Sequence, residues 1–196
     1  LVKSSAASDV YKRQDVNDRK SPRLMLFMPP RHGKSTLASV AFPAWHLGKN
    51  PEHEFISCSY SGSLAMNFSR KVRQQLREPN YKNVFSGVSL DPSSQSVESW
   101  NTTKGGGYVA AGVGGGITGK GAHVLVIDDP VKNREDAESE YNRDSVWDWY
   151  TSTAYTRLAP GGGVLVILTR WHDDDLAGKL LSAAAAGADQ WEVVKY

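Results

Sequence analysis

The residues Met28-Pro29-Pro30-Arg31-His32-Gly33-Lys34-Ser35 have the types and order that phosphate binding needs. An apolar run, Leu24 to Met28, feeds a Gly-Lys-Ser that opens a segment of helical pattern. Gly33 lets the backbone approach a phosphate, Lys34 can reach the β- and γ-phosphates, and the Ser35 hydroxyl can ligate Mg²⁺. Downstream, Val124-Leu125-Val126-Ile127-Asp128-Asp129 is an aliphatic run ending in two carboxylates, as expected of a buried strand that delivers a Mg²⁺-binding Asp. The first motif departs from G-x-x-x-x-G-K-[ST] in carrying Met28 where the first Gly is expected. The bland alternative is a strand-to-helix turn with a solvated Lys34, and the Asp128-Asp129 strand argues against it.

These residues need elements to position them. The pattern predicts a strand over 23–28, then a helix from 34 through 47 that Pro43 kinks or ends. A second strand over 54–59 precedes a helix over 63–77, stopped by Pro79-Asn80. Arg70, Lys71, Arg73 and Arg77 make one face of that helix basic, which suits either solvent or a phosphate backbone. A hairpin is predicted from 97–103 and 108–111 around three glycines. The Gly-rich run from Gly112 to Gly121 reads as a loop that moves or approaches a ligand, or as a flexible surface connection. It is no dinucleotide fingerprint, because it precedes a strand instead of following one.

After Asp129, Pro130 turns the chain, and a long helix is predicted over 134–158 with Glu135, Asp136 and Glu138 suiting its N-terminal dipole. Trp147, Trp149, Tyr150 and Tyr155 read as packing residues in preference to a base-stacking platform. Pro160 and its glycines end that helix; a strand over 164–169, a helix over 174–186 and a strand over 191–195 follow. Such alternation predicts an α/β fold of the P-loop NTPase kind. It implies a mainly parallel sheet with helices on both faces and a Gly-rich loop and hairpin insertion. Three strand ends, carrying the phosphate loop, Asp128-Asp129 and Thr169-Arg170-Trp171-His172, then point at one nucleotide.

At 196 residues, 40% hydrophobic, the chain can bury the core of one domain, assigned to 15–196. Its longest apolar runs are strand-sized, against ~20 residues for a membrane span, and the start lacks a secretory apolar core; an intracellular location is expected. Cys58, the single cysteine, excludes an internal disulfide and reads as a buried inert thiol. The net charge of +2 is carried by residues 1–14 alone, through Lys3, Lys12 and Arg13 against Asp9, so bulk charge argues nothing about nucleic acid. That segment reads as a disordered tail or a non-native scar.

Pro29 to Ser35, Thr118-Gly119-Lys120-Gly121-Ala122-His123 leading into the Asp128-Asp129-Pro130 strand, and Leu168-Thr169-Arg170-Trp171-His172-Asp173-Asp174-Asp175-Leu176 together resemble the large terminase subunit of tailed bacteriophages and prophages. The resemblance spans about residues 20–196 and implies the N-terminal ATPase domain of the motor that packages double-stranded DNA into a procapsid. It implies ATP and Mg²⁺ as cofactors, with Pro30, Arg31, His32, Gly33, Lys34, Ser35 and Thr36 around the nucleotide. Ser35 and Asp128 would lie on the metal, and Arg31 at the γ-phosphate. Asp129, in the place of the family's catalytic Glu, would orient or deprotonate the attacking water. Thr169 and Arg170 would couple hydrolysis to movement.

An arginine finger that some members donate from the loop before the Asp128 strand has no arginine here; Lys120, Arg157, Arg170 or Arg31 could replace it. The implied partners are double-stranded DNA, the portal protein, the small terminase subunit and further copies in a ring, in the host bacterial cytoplasm with no membrane. The family's C-terminal nuclease domain is absent from this chain, and Asp173-Asp174-Asp175 reads as a helix cap and not a metal cluster, so no nuclease activity is expected. A helicase-like nucleic-acid-stimulated ATPase and a non-hydrolysing ATP switch are the alternatives; a GTPase is disfavoured, since no Asn-Lys-x-Asp block occurs.

Overall fold

The aliphatic runs become strands whose alternate side chains feed two cores, one on each face of a single sheet. The structure, a computed structural model, describes residues 23–196; the tail assigned to 1–14 lies outside them. Strands β1 (Arg23–Phe27), β2 (Glu54–Ser59), β5 (Gly107–Gly112), β6 (Ala122–Asp128), β7 (Leu158–Leu168) and β8 (Glu192–Lys195) run parallel, and the hairpin strands β3 (Leu90–Gln95) and β4 (Ser99–Thr102) extend one edge antiparallel. The order is β3-β4-β5-β2-β6-β7-β1-β8. β2, β6, β7 and β1 lie inside the sheet, and β6 and β7 are accordingly aliphatic on both faces.

Leu24 and Leu26 of β1 join one core with α1 (Phe42–Lys49) and α2 (Gly62–Arg77); Met25 and Phe27 join the other with α5 (Glu140–Trp149) and α6 (Leu176–Ala185). Short helices α3 (Pro79–Val84) and α4 (Arg134–Glu138) complete the set. Glu78, forced extended by Pro79, ends α2 and starts α3. Cys58 is fully buried in the second core, and burial pushes its thiol up to about 12, as an inert thiol requires.

Three local structures differ from the sequence pattern. Pro43 does not end its helix: the chain widens into a π-helical segment, Thr36–Ala41, whose Phe42 N–H reaches back to Leu37 O, and α1 continues with Pro43 in its first turn. The widened turn accommodates the donor that proline lacks. The helix predicted over 134–158 breaks at Ser139, whose hydroxyl accepts the Asn142 N–H as the N-cap of α5, while Arg143 donates to the freed carbonyls of Ala137 and Glu138. It then passes through a second π segment, Tyr150–Ala154, and ends at Arg157, where β7 begins and carries Pro160 and its glycines. β3 has no alternating apolar pattern and was not expected at all.

Candidate functional site

The C-terminal ends of β1, β6 and β7 converge on a cavity of about 400 Å³, lined by Pro30, Arg31, Gly33, Lys34, Ser35, Thr36, Tyr60, Asp129, Val131, Lys132, Thr169 and Trp171. β1 enters the turn through Met28, whose carbonyl accepts the Thr169 hydroxyl at the end of β7. Arg31 and Gly33 adopt left-handed backbone (φ 63 and 80) to reverse the chain before Lys34 starts the helix. Gly33 has no heavy atom near the position of a Cβ, so it satisfies the turn and leaves space for a ligand against the backbone.

Lys34 is only 6% exposed, and its ammonium donates to Asp129 Oδ1 (2.8 Å) and Thr169 Oγ1 (2.8 Å) while lying 2.7 Å from Asp129 Oδ2. Asp129 itself is left-handed (φ 45), held by its N–H to Ile167 O, by Tyr60 N–H to its carbonyl and by Thr169 N–H to its Oδ1. The end of β6 therefore turns so that Asp129 faces the cavity while Asp128 points beneath it. One cation, one carboxylate and one hydroxyl from three strand ends form a closed triangle, and a phosphate oxygen entering the cavity competes with Asp129 for the ammonium.

Asp128 forms the floor. It is 1% exposed, and Ser39 in the π-helical segment donates to its Oδ2 at 2.6 Å. Burial pushes its carboxyl up to about 6; Ser39 opposes this, Asp129 adds to it, and the Ser35 hydroxyl and Lys34 oppose it more weakly. Its Oδ1 is buried with no hydrogen-bond partner. An unpartnered buried carboxylate oxygen costs energy unless something cationic completes it. Next to the Ser35 hydroxyl, it fits the hard-oxygen chemistry of Mg²⁺.

The sequence-derived residues divide accordingly. Pro30, Arg31, Gly33, Lys34, Ser35, Thr36, Asp129 and Thr169 meet at the cavity wall, with Asp128 below. His32 is absent from that wall and donates its Nδ1–H to Pro30 O, bracing the loop. Arg170 also lies off the wall: its Nε donates to Asp175 Oδ2 at 2.6 Å, its NH2 to Asp173 O, and its guanidinium stacks 5.2 Å from the Phe27 ring. It fixes the loop into α6, where Asp175 is the N-cap accepting Gly178 N–H, and Asp174 pairs with Arg143 and Lys179. Lys120 and Arg157 sit beside the start of β6 and β7, where Ala122 pairs with Leu158, at the opposite rim of the sheet.

Ser39, Tyr60, Val131 and Lys132 are contributions the motifs did not specify, whereas Trp171 reaches the wall from within the Thr169-Arg170-Trp171-His172 run. Ser39 follows Ser35 by four residues, a spacing that keeps both on one face, and lies in the π-helical turn against Asp128; the signal for Tyr60 is its place directly after β2, which ends at the same rim.

Comparison with known proteins bears on the family and the fold. Residues 25–196 match the family described as the terminase large subunit, T4likevirus-type, N-terminal. No curated protein matches the chain. Among solved structures, the large terminase from a thermophilic bacteriophage is similar, with a TM-score of 0.57 at 11% identity over 94% of this chain and 44% of that one. Another crystal form of that terminase, in complex with ADP, gives a TM-score of 0.54 at 11% identity, with the same coverage. The chain thus spans less than half the length of these structures, and the likeness is one of fold.

Proposed function

We propose that this chain, which belongs to the terminase large-subunit family in its T4likevirus-type N-terminal form, binds MgATP in the cavity at the ends of β1, β6 and β7 and hydrolyses it, and that the full protein uses this to move double-stranded DNA into a procapsid. The carrying observation is the Lys34–Asp129–Thr169 triangle standing over the unpartnered Asp128 Oδ1. The ADP complex of the similar phage terminase supports a nucleotide as the ligand.

In this reading the loop amides from Gly33 to Thr36 and the Lys34 ammonium take the β- and γ-phosphates. Ser35 and Asp128 would hold Mg²⁺, which supplies charge neutralisation at the phosphate oxygens. As the γ-phosphate draws Lys34 away, Asp129 is left with the Thr169 N–H as its donor and a free lone pair directed into the cavity. It then orients the attacking water and accepts its proton. Thr169, bonded to Lys34, Asp129 and Met28, registers that exchange at the end of β7 and passes it through Arg170 and Asp175 to α6. Arg31 is the arginine of the cavity wall, beside Lys132, available to the γ-phosphate within the same subunit, whereas Lys120 and Arg157 could serve only a neighbour's cavity. Docking on the portal protein with the small subunit, as a ring in the host cytoplasm, belongs to the same reading and rests on the family alone.

The test is MgATP hydrolysis by this chain with and without linear double-stranded DNA, beside Lys34→Ala and Asp129→Ala. Turnover abolished in both variants supports the assignment. ATP binding that depends on Lys34, with no turnover even at high protein concentration where neighbours meet, would instead favour a nucleotide switch.

A further inference from the structure

Helix α2 contains Arg70, Lys71, Arg73 and Arg77 and no carboxylate. Arg23, Lys34, Arg143 and Lys179, elsewhere in the fold, each pair with an Asp. On α2, among the described residues, Arg70, Lys71 and Arg73 make no ion pair, and Arg77 donates to the neutral Gln95 Oε1 at 3.1 Å. Glu78 follows Arg77 directly, and Glu98 lies beside Val97, whose carbonyl accepts the Ser69 hydroxyl; neither pairs with the helix. Arg73 is buried with its Nε unpartnered, and burial together with the nearby Arg77 charge holds its guanidinium below the ordinary arginine range. Positive charge is therefore gathered on this helix without internal compensation, and like charges four residues apart destabilise it.

The arrangement is linear. At about 100° per residue, Ser63, Asn67, Arg70, Gln74 and Arg77 fall within an arc of roughly 80°, all of them exposed. Arg70 and Arg77 are separated by about 10 Å along the axis, near three phosphate steps of one DNA strand at about 3.4 Å each. The neutral Gln74 lies between the two arginines and Ser63 and Asn67 precede them, Lys71 flanks them, and no acid interrupts the stripe. We propose that this face of α2 is a contact surface for the phosphate backbone of double-stranded DNA, an inference that rests on the packaging-motor reading and adds to it where the DNA lies. Its anchor is close to the chemistry: Tyr60, two residues before α2, lines the nucleotide cavity and donates its N–H to Asp129 O. DNA held on α2 therefore bears on the residue that would position the attacking water.

The test uses the whole chain and a fluorescent linear duplex, with anisotropy titrations across about 50–300 mM salt. The variant R70A/K71A/R77A removes only exposed cations, and K49A/K104A/K195A removes as many elsewhere; melting temperatures confirm that both fold. The stripe variant should bind at least tenfold more weakly, with the slope of log affinity against log salt reduced by about 2–3, at about 0.9 per lost contact. The second triple should shift affinity by less than about threefold, and R70K/R77K should keep the parent slope. Equal losses in the two triples, no binding by the parent chain, or unchanged DNA binding with altered self-association would overturn the assignment. ATP turnover of the parent chain is read separately, so duplex binding through α2 without turnover would remove the ATPase reading and leave the surface, and turnover with binding indifferent to α2 the reverse.

Discussion

The two rims of the same sheet are built on opposite principles. At the rim where β1, β6 and β7 end, left-handed backbone falls not only on Gly33 but also on residues with side chains, Arg31 and Asp129, and a buried carboxylate oxygen of Asp128 has no partner. At the rim where strands begin, left-handed positions are glycines, Gly105, Gly119 and Gly161, and the space between elements is closed by rings. Phe55, Tyr108 and Trp100 stack 5.5 and 5.2 Å apart, each pair within 3° of parallel, and His53 stacks on His123 at 4.2 Å. A left-handed non-glycine residue costs about 1–2 kcal/mol, which a fold optimised for stability alone would avoid. The cost is concentrated where the side chain that bears it faces a cavity. Strained backbone on residues with side chains marks the working rim; stacked rings mark the structural one.

The sharpest way to break this contrast is Lys34→Ala, which should reduce MgATP turnover by at least about 10³-fold in a steady-state assay while the melting temperature moves little; turnover that survives would remove the working rim from the chemistry. Asp129→Asn keeps the shape and an acceptor for the Thr169 N–H but removes the base, and turnover should fall by about 10²–10⁴-fold with nucleotide affinity retained, measured by titration calorimetry.

On the structural rim, a Cβ at Gly106 would collide with the carbonyl oxygens of Pro51 and His53, so Gly106→Ala should cost about 3 kcal/mol or more in denaturant unfolding and leave the ATP affinity of the folded fraction unchanged. Asp128 gives a smaller, pH-dependent effect. Its folded pKa of about 6 lies above the ordinary 3.8, so the penalty is fully present above about pH 6 and is relieved as pH falls from there toward 4. Asp128→Asn should raise the melting temperature at pH 7–8 by a few degrees and lose that advantage near pH 4, while abolishing Mg²⁺-dependent turnover. Gly33→Ala closes the series: with no atom near its Cβ, it should cost only about 1 kcal/mol of stability, from φ alone, yet weaken nucleotide binding, the reverse of Gly106→Ala.

Much of this was legible in the sequence because hydrophobic runs and phosphate-loop chemistry are local. Leu24 to Met28 and Val124 to Ile127 read as strands within a few residues, and Gly33-Lys34-Ser35 as the turn into a helix. What was not legible depends on contacts that only the folded chain makes. Arg170 stands out in the Thr-Arg-Trp-His run, but its bonds to Asp175 and Asp173 and its stacking on Phe27, which hold the loop into α6, show only in the fold. Ser139 looks like one polar residue in a long helical pattern until Arg143 satisfies the carbonyls that its break exposes. β3, with Asp91, Pro92 and two serines, is a strand because β4 offers an edge, not because its own residues prefer one.

The π-helical turn after the phosphate loop is the geometry that one extra residue leaves in an otherwise regular helix. Positions before Thr36 and after Ala41 are therefore out of phase by about one residue, and a helical wheel drawn through both assigns faces wrongly on one side. Deleting a single residue within Thr36–Ala41 would restore an ordinary helix with Lys34 and Ser35 on one side and α1 on the other still in place, because the wide turn already absorbs the extra residue. What such a deletion would disturb is the turn itself, which carries Ser39 to Asp128. The contact beneath the cavity is thus encoded partly as a count of residues, a quantity that substitutions leave untouched.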